Sequence, residues 1–358
     1  MPGDDISSEI CITGGIYREQ CYWPYRNHVF GSAWRSARVM RLLASDANIQ
    51  IVTAGDGLTK SLLKAYSMAE SLDYVVEPEK ELISFYYRHP LAVPEVLGCI
   101  SGNLQLKAEG QCIIGFGMKE ALIEIRGAYV VYDPQSPVSP RWFRDQKGEA
   151  DHLALVMNET EARLLSGETE LQKAKELIFE HEMCECLVVK CGSQGAMVYC
   201  GKDDDGTRVH SYRTTHVWPI GSGDVFTTVF SYYWFKGLSP VEAAIKASKS
   251  AAAYCESDGD YENLLTHLKT SEFYEFTPQK KGKVYLAGPF FTLSEKLFVE
   301  ECRNILIAMG MEVFSPYHDV GEGKAEVVVP KDIAAIDDCN CVFAILDGMD
   351  SGTLFETG

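Results

Sequence analysis

Short apolar runs, each ending in glycine or in a polar residue, recur along most of the chain. They cover residues 10–13, 49–53, 112–115, 128–132, 152–157 and 187–190. Runs of this length between turn residues are typical of strands that are buried on both faces of a parallel sheet. Apolar residues at helical spacing, such as Ala33, Ala37 and Met40, lie between them. This alternation predicts an α/β sandwich with a mainly parallel sheet, in which ligands bind where the strands end.

Two further stretches, 74–76 and 83–87, alternate like strands and predict a small sheet over the ligand side of the molecule. The composition then changes at residues 269–283, which are polar and contain Pro278 and clustered lysines, as a linker does. A second α/β unit follows, with predicted strands at 284–287, 312–314 and 341–346 and predicted helices at about 294–309 and 331–338. We therefore expect one domain over residues 1–268, a linker over 269–283 and a second domain over 284–358.

Composition narrows the class of protein. Hydrophobic residues make up 46% and charged residues 23% of the chain, as in ordinary globular proteins, and no stretch is long and apolar enough for a membrane span. The formal net charge of −18 argues against a nucleic-acid partner and means that a bound nucleotide needs local positive compensation. The acidic N-terminus lacks the basic region of a signal peptide, so we expect a cytoplasmic protein. Its 12 scattered cysteines are then reduced thiols rather than metal ligands.

The stretch 219–226 carries the clearest chemistry. Gly221, Ser222 and Gly223 precede Asp224, and an apolar run to residue 235 follows. If this run is a helix, the amides of the three residues form an anion cradle at its positive end. Asp224 is then placed to take a proton from a hydroxyl group that attacks a phosphoryl group in that cradle. The alternative is a plain turn before a strand, because the run is rich in β-branched and aromatic residues.

Residues 221–224, Gly-Ser-Gly-Asp, resemble the Gly-Ala-Gly-Asp signature of the PfkB, or ribokinase-like, family of carbohydrate and nucleoside kinases. The resemblance covers roughly residues 8–268 and implies a ribokinase-like three-layer α/β/α sandwich with ATP and Mg²⁺ as cofactors. It implies that Asp224 is the catalytic base and that Asn158 and Glu161, which match the family's Asn-x-x-Glu, organise Mg²⁺ and phosphates. Asn158 and Glu161 also suit a helix capping box, and that alternative stays open.

The same resemblance covers two further parts of the chain. Lys190, Gly192 and Gly195 are similar to the strand and glycine turn at the family's nucleotide site. Gly31 begins a segment similar to the substrate-side Gly-Gly-x-Ala-x-Asn-x-Ala, although Arg35 takes the place of the asparagine. The family's early substrate-binding aspartate is absent, and Glu19 is the substitute that the sequence offers. The segment between residues 15 and 31 is short for the family, so we expect a reduced β lid over the substrate.

Residues 284–358 resemble the nucleoside 2-deoxyribosyltransferase family in their opening Tyr285-Leu-Ala-Gly288-Pro and in their closing Asp350-Ser-Gly352-Thr353-Leu-Phe-Glu356. The resemblance implies a flavodoxin-like, Rossmann-type α/β domain. In it Glu356 attacks the anomeric carbon, and Asp350 holds sugar hydroxyls or orients Glu356. Gly352 and Thr353 offer backbone amides to the ligand, and Tyr285 and Gly288 shape the pocket. Family members carry an aspartate where this chain has Asn340.

The sequence ends at Gly358, just as the helix of Glu356 begins, so we expect this domain to be incomplete at its C-terminus. Either the chain is part of a longer one, or another subunit supplies the missing layer; a homo-oligomer is the expected state.

The two resemblances together predict an enzyme of nucleoside metabolism. One half phosphorylates a sugar or nucleoside hydroxyl, and the other cleaves or exchanges an N-glycosidic bond. Two alternatives remain: a non-catalytic nucleotide sensor or scaffold, and an N-glycosidase effector whose kinase half serves as a binding module. The sequence names neither the phosphoryl acceptor nor the base.

Overall fold

A computed structural model describes residues 9–69, 72–98, 104–136, 138–276, 282–321 and 323–358. The chain forms two compact units that divide between Phe276 and Thr277, within the segment that the sequence predicts as a linker. No helix in these described ranges is both long enough and apolar enough to span a membrane.

The first unit contains fifteen described strands and seven described helices. Its strands are β1 (Glu9–Thr13), β2 (Arg18–Cys21), β3 (Arg26–Val29), β4 (Asn48–Gly55), β5 (Leu72–Pro78), β6 (Ser84–Tyr87), β7 (Glu95–Leu97), β8 (Leu104–Phe116), β9 (Ala121–Asp133), β10 (Glu149–Asn158), β11 (Cys186–Lys190), β12 (Ala196–Tyr199), β13 (Thr207–Val209), β14 (Ser211–Tyr212) and β15 (Glu275–Phe276). Its helices are α1 (Gly31–Leu43), α2 (Gly57–Ala69), α3 (Glu159–Ser166), α4 (Leu171–Glu182), α5 (Ser222–Phe235), α6 (Pro240–Glu256) and α7 (Leu264–Thr270).

A nine-stranded sheet in the order β13-β12-β11-β10-β9-β8-β1-β4-β5 forms the middle layer of this unit. Its strands from β11 to β5 pair in parallel, and β12 and β13 pair antiparallel at one edge. Side chains alternate between two cores: Ile10 and Ile12 face the core that includes α1, α5 and α6, whereas Cys11 faces the core that includes α3 and α4. The predicted α/β sandwich is confirmed.

Strands β8 and β9 also build part of one outer layer. They pair in parallel from Leu104↔Ala121 to Phe116↔Asp133, although residues 117–120 alone connect them. Two straight parallel strands need a connection of a dozen or more residues. Residues 117–120 can join β8 and β9 only because each strand bends sharply. The pairing is interrupted directly after Gly110 and Gly127, where glycine permits a bend. The first halves of both strands then cover the face of the sheet that α3 and α4 also cover.

A four-stranded sheet in the order β3-β2-β6-β7 stands apart from the large sheet. Strands β6 and β7, from later in the chain, pair with the hairpin of β2 and β3 in this sheet, and its reduction relative to the family stays a prediction. The predicted small sheet is present, with most of residues 83–87 in β6, whereas the prediction that residues 74–76 belong to it was wrong, since they lie in β5, at the edge of the large sheet. We refer to the four-stranded sheet as the lid.

The second unit has a three-stranded parallel sheet in the order β17-β16-β18. Its elements are β16 (Lys283–Ala287), α8 (Leu293–Ala308), β17 (Glu312–Phe314), α9 (Ala325–Asp338), β18 (Cys341–Ala344) and α10 (Ser351–Thr357). Helix α9 begins earlier than predicted and holds Pro330 inside it, and β18 ends two residues earlier than predicted. The small α/β domain expected from the sequence is confirmed.

Candidate active site

The N-terminus of α5 lies at the centre of the site in the first unit. Gly221 precedes the helix with a φ of 81°, in the left-handed region that glycine adopts without strain. The Ser222 amide donates to the carbonyl of Pro219 at 3.0 Å, and the Val225 amide donates to that of Gly221 at 3.1 Å. The amides of Gly223 and Asp224 have no acceptor among the described residues. Two N–H groups are thus available to an anion at the positive end of the helix dipole.

The run that follows Asp224 is a helix despite its β-branched and aromatic residues. Eleven of the fourteen residues of α5 are buried, with α1 and α6 as its helical neighbours. Burial against neighbours on several sides outweighs a local preference of a few tenths of a kcal/mol per residue. The turn-and-strand alternative is therefore excluded, and Asp224 lies in the first turn of the helix.

Asp224 is buried, with 7% of its surface exposed, and both of its oxygens accept hydrogen bonds. Oδ2 accepts from Arg35 Nη1 at 2.5 Å, and Oδ1 accepts from the amide of Gln135. The other Nη atom of Arg35 donates to Glu19, whose second oxygen accepts from the Gly31 amide at 3.0 Å. The structure thus brings together four side chains and a backbone amide from the lid, from α1, from the loop after β9 and from α5.

Arg35 is held tightly in this cluster. Burial by itself would lower the pKa of its guanidinium, but Glu19, Tyr254 and Asp224 outweigh burial and hold that pKa well above its usual range. A Cβ atom on Gly221 would lie 2.2 Å from Arg35 Nε, so Gly221 leaves the space that the guanidinium occupies.

A cleft that opens to solvent lies between the lid and the rest of this unit. Four aromatic side chains and Arg35 contribute to its wall, and Asp224 does not; the aromatic residues are Phe30, Tyr87, Trp218 and Tyr254. Arg26 of β3 lies 3.8 Å from the centre of the Trp218 ring and donates to the Asp258 carboxylate at 2.5 Å. Apolar rings beside a few polar groups are the kind of lining that small-molecule sites have.

A second polar cluster occupies the ends of β9, β10 and β11. Lys190 Nζ donates to the fully buried Asp133 at 2.5 Å, and Thr227 of α5 donates to the same oxygen at 2.8 Å. Burial would lower the pKa of Lys190, but Asp133 and Glu161 raise it above its ordinary value. Lys190 Nζ lies 3.5 Å from the position of a Cβ on Gly223, so the cation stands beside the free amides. Together they fit the charge of a phosphate group.

Asn158 and Glu161 form a capping box at the start of α3. The Asn158 side chain accepts from the Glu161 amide at 2.8 Å, and Glu161 Oε2 accepts from the Asn158 amide at 2.8 Å. Burial, followed by the charge of Asp133, raises the pKa of Glu161 to about 7. Among the described residues, no group of three or more His, Cys, Asp or Glu side chains is placed to hold a metal ion. Mg²⁺ needs fewer, because it binds through one or two carboxylates, water and substrate phosphates.

Gly192 and Gly195 lie in the turn after β11. Gly192 is exposed, and a Cβ there would meet nothing within 4 Å. Gly195 has a φ of 82°, and a Cβ there would lie 2.0 Å from the carbonyl oxygen of Val209, so the end of β13 packs directly against Gly195. Their predicted part in nucleotide binding stays a prediction.

Tyr285 of the second unit contacts one of the predicted site residues, Glu356. The buried Tyr285 hydroxyl on β16 donates to Glu356 Oε1 at 2.7 Å. Burial raises the pKa of Glu356, and the bond from Tyr285 opposes that rise. Asp350 accepts from the Thr353 amide at 2.9 Å and so caps α10, whose last turn holds Glu356. Asp350 and Glu356 thus lie at the two ends of one short helix.

The remaining predicted residues of this unit have packing roles in the described structure. A Cβ on Gly288 would lie 3.0 Å from Ile345, and one on Gly352 would lie 3.0 Å from Asp350 Oδ2. Asn340 exchanges hydrogen bonds with the backbone of Lys283, its side chain accepting from the Lys283 amide at 2.8 Å, which joins the starts of β18 and β16.

Several polar residues of the two sites were missed in the sequence. Asp133 and Gln135 follow a buried strand at the ligand edge of the sheet, a signal that could have found them. Asp332 of α9 is 9% exposed, Oδ1 of its carboxylate has no partner among the described residues, and burial raises its pKa. Its charge acts on Glu356 and Tyr285, but nothing in the local sequence distinguishes it from Asp337 or Asp338.

A mostly parallel sheet with an anion cradle and a buried carboxylate at its strand ends is the arrangement of a ribokinase-like kinase fold. Sequence comparison supports this class: residues 125–267 match the model of the pfkB family carbohydrate kinases, and residues 284–358 match that of the nucleoside 2-deoxyribosyltransferases. One part of the chain thus matches each family model, and both resemblances inferred from the sequence are confirmed. A search of curated proteins finds no match.

Solved structures of ribokinase-family kinases share the fold of the first unit. Ribokinase from Thermotoga maritima is 16% identical, with a TM-score of 0.55 over 73% of this chain and 99% of its own. Fructokinase from Vibrio cholerae O395, solved with fructose, ADP and calcium ion, is 13% identical, with a TM-score of 0.56 over 74% and 100%. A pyrophosphate-dependent kinase in the ribokinase family, complexed with a pyrophosphate analog and myo-inositol, is 14% identical, with a TM-score of 0.52 over 72% and 99%.

Proposed function

We propose that the first unit transfers the γ-phosphoryl group of ATP to a hydroxyl group of a sugar or nucleoside. The observation that carries the proposal is the N-terminus of α5, where the free amides of Gly223 and Asp224 stand beside Lys190 and the Asp224 carboxylate. The acceptor oxygen bonds to the γ-phosphorus as the bond to the β–γ bridging oxygen breaks and ADP leaves. The hydroxyl proton passes to Asp224, and the amides and Lys190 bind the charge on the migrating group.

The residues present also fit a nucleotide with a divalent cation. The fructokinase with the same fold was solved with ADP and calcium ion, which supports ATP with a divalent cation, and we propose Mg²⁺. Glu161 and Asn158 would hold that cation, partly through water, since their capping bonds leave further lone pairs. The cation would neutralise phosphate charge, which matters in a chain with a net charge of −18.

The test is ADP release from ATP and Mg²⁺ with a panel of ribose, deoxyribose, fructose and nucleosides. Asp224→Asn keeps the shape of the side chain and removes the base, so we expect turnover to fall about 10²–10⁴-fold. Asp203→Asn, an equivalent change at an exposed loop residue, is the control and keeps wild-type turnover. Equal turnover in Asp224→Asn and the control contradicts the proposal. Nucleotide binding with no transfer to any acceptor favours the sensor instead.

We propose a second activity for the second unit, cleavage or exchange of a nucleoside N-glycosidic bond. The bond from Tyr285 to a half-buried Glu356 favours it, because it aims one oxygen of the carboxylate and leaves the other free to attack. Glu356 would bond to the anomeric carbon as the carbon–nitrogen bond breaks. The departing base would take a proton from a neighbouring acid, for which Asp332 has a raised pKa. A second base or water would then release the sugar.

Release of free base from nucleosides or nucleotides, read by chromatography, tests this second activity. Glu356→Gln removes the nucleophile, and we expect no base release above the uncatalysed rate. Glu326→Gln, at an exposed position of α9, is the control. Base release that survives Glu356→Gln excludes the mechanism. Base release without any phosphoryl transfer favours the effector with a kinase-like binding module.

A further inference from the structure

One guanidinium pairs with two carboxylates from different elements, the buried Asp224 and the partly buried Glu19. Arg35 of α1 pairs with Glu19 of the lid strand β2 and with Asp224 of α5. The exposed fractions of the three side chains are 3% for Arg35, 13% for Glu19 and 9% for Asp224. The three charges sum to −1, so neither carboxylate has a cation to itself.

Each carboxylate is also fixed by one neutral donor. The Gly31 amide donates to Glu19 at 3.0 Å, and the Gln135 side chain donates to Asp224. These donors keep the two acids in place while Arg35 lies between them. The strength with which Arg35 attracts each carboxylate then depends on its distance from that carboxylate. Glu19 belongs to the lid, so the lid enters the electrostatics of Asp224 directly.

We propose that Arg35 is a positioning residue that keeps Asp224 ionised and oriented, and that Glu19 of the lid weakens this hold so that Asp224 stays basic enough to accept a proton. This inference rests on the phosphoryl transfer proposed above. Without Arg35, a buried Asp224 next to Glu19 would favour its neutral form, which takes no proton. Without the charge of Glu19, the whole charge of Arg35 would act on Asp224, and the carboxylate would be a weaker base.

Other groups also act on Asp224, and none of them is changed in the experiment. They come from the ends of β9 and β11, the segment after β1, the lid and α6, and are Asp133, Lys190, Tyr17, Tyr87 and Tyr254. Removal of the positive charge at Arg35 and removal of the negative charge at Glu19 therefore act in opposite directions on the same group. A general loss of structure cannot produce such opposite effects.

The experiment uses the full chain and measures kcat/KM against pH. The acceptor is the sugar or nucleoside of the panel above that the wild type phosphorylates. The acid limb of this profile is the range of low pH in which kcat/KM falls because Asp224 would be protonated. In Arg35→Gln, this limb is expected to move to higher pH by about one unit or more. In Glu19→Gln, the limb is expected to move to lower pH, with turnover at neutral pH reduced by about tenfold or less. Arg35→Lys keeps the charge and is expected to bring the limb back toward the wild-type position, although it loses the two-pronged geometry. The exposed pair Lys202 and Glu180 supplies the controls Lys202→Gln and Glu180→Gln, which leave the limb in place.

Opposite movements of the limb in Glu19→Gln and Arg35→Gln support the proposal. Movement in the same direction, or no movement in Glu19→Gln, overturns it. If Arg35→Gln does not fold, Glu19→Gln and Arg35→Lys still decide the question, because each keeps the guanidinium or its charge. Asp224→Asn in the same assay separates the two proposals. Full activity of that variant refutes the phosphoryl-transfer proposal, whereas an inactive Asp224→Asn with unmoved limbs refutes the role of Arg35 alone.

Discussion

Gly221→Ala tests how firmly Arg35 is held against the start of α5. Gly221 has a φ of 81°, and the added methyl group would lie 2.2 Å from Arg35 Nε and 2.3 Å from its Cζ. The left-handed backbone alone costs an alanine about 1 kcal/mol. Arg35 must move as well, and it is paired with the buried Asp224 and the partly buried Glu19. Disturbing such pairs costs up to about 3 kcal/mol more. We therefore expect Gly221→Ala to lower the free energy of unfolding by about 2–4 kcal/mol.

Gly167→Ala is the matched control. Gly167 ends α3 with a φ of 73°, and a Cβ there would meet nothing within 4 Å. The control thus carries the backbone cost without the clash, and we expect a loss of about 1 kcal/mol.

Urea unfolding followed by tryptophan fluorescence measures both losses. All five tryptophans lie between residues 23 and 234, so the fluorescence reports the first unit by itself. Equal losses of unfolding free energy in Gly221→Ala and Gly167→Ala would show that Arg35 moves aside at no cost. That result would refute the argument that Glu19 and Asp224 hold Arg35 in place.

Three further predictions concern groups whose pKa is raised by burial. Tyr285→Phe removes the hydrogen bond that lowers the pKa of Glu356, so burial should raise this pKa further. The acid limb of nucleobase release should then move to higher pH in a pH–rate profile, and an unmoved limb contradicts this. Burial raises the pKa of Asp332 in the folded state, and a raised carboxylate pKa means that stability is lost as pH rises through it. Asp332→Asn should therefore slow hydrogen exchange in residues 284–358 at neutral pH, and faster exchange than in the wild type would contradict it. Burial raises the pKa of Glu161 from 4.5 to about 7, so the folded wild-type chain holds a proton that the unfolded chain releases. The free energy of unfolding of the wild type should therefore fall as the pH rises from 4.5 to about 7. Glu161→Gln should reduce this fall, and an unchanged slope of stability against pH would refute the assignment.

The local sequence was sufficient for the elements whose pattern is complete in one stretch. The apolar run of β10 and the Asn158–Glu161 spacing predicted a strand followed by a capped helix, and both are present. The glycines before Asp224 predicted a helix start with free amides. These features depend on backbone groups within a few residues of each other, so a short window contains the physics that forms them.

Other features depended on partners that are distant in the chain. The lid pairs Arg18 of β2 with Ser84 of β6, so the alternation of residues 83–87 predicted a strand, while its partner lay far away in the chain. The paired corners of β8 and β9 follow from register, which no single strand contains. The same holds for Arg35: its position matched a substrate contact, yet its guanidinium lies between Glu19 and Asp224, which is 189 residues away. The sequence by itself determined the two kinds of domain and the candidate acids Asp224 and Glu356, because those follow from local patterns. Tertiary structure decided which charges face each other, because a buried charge takes its partner from whatever the fold places within a few ångströms.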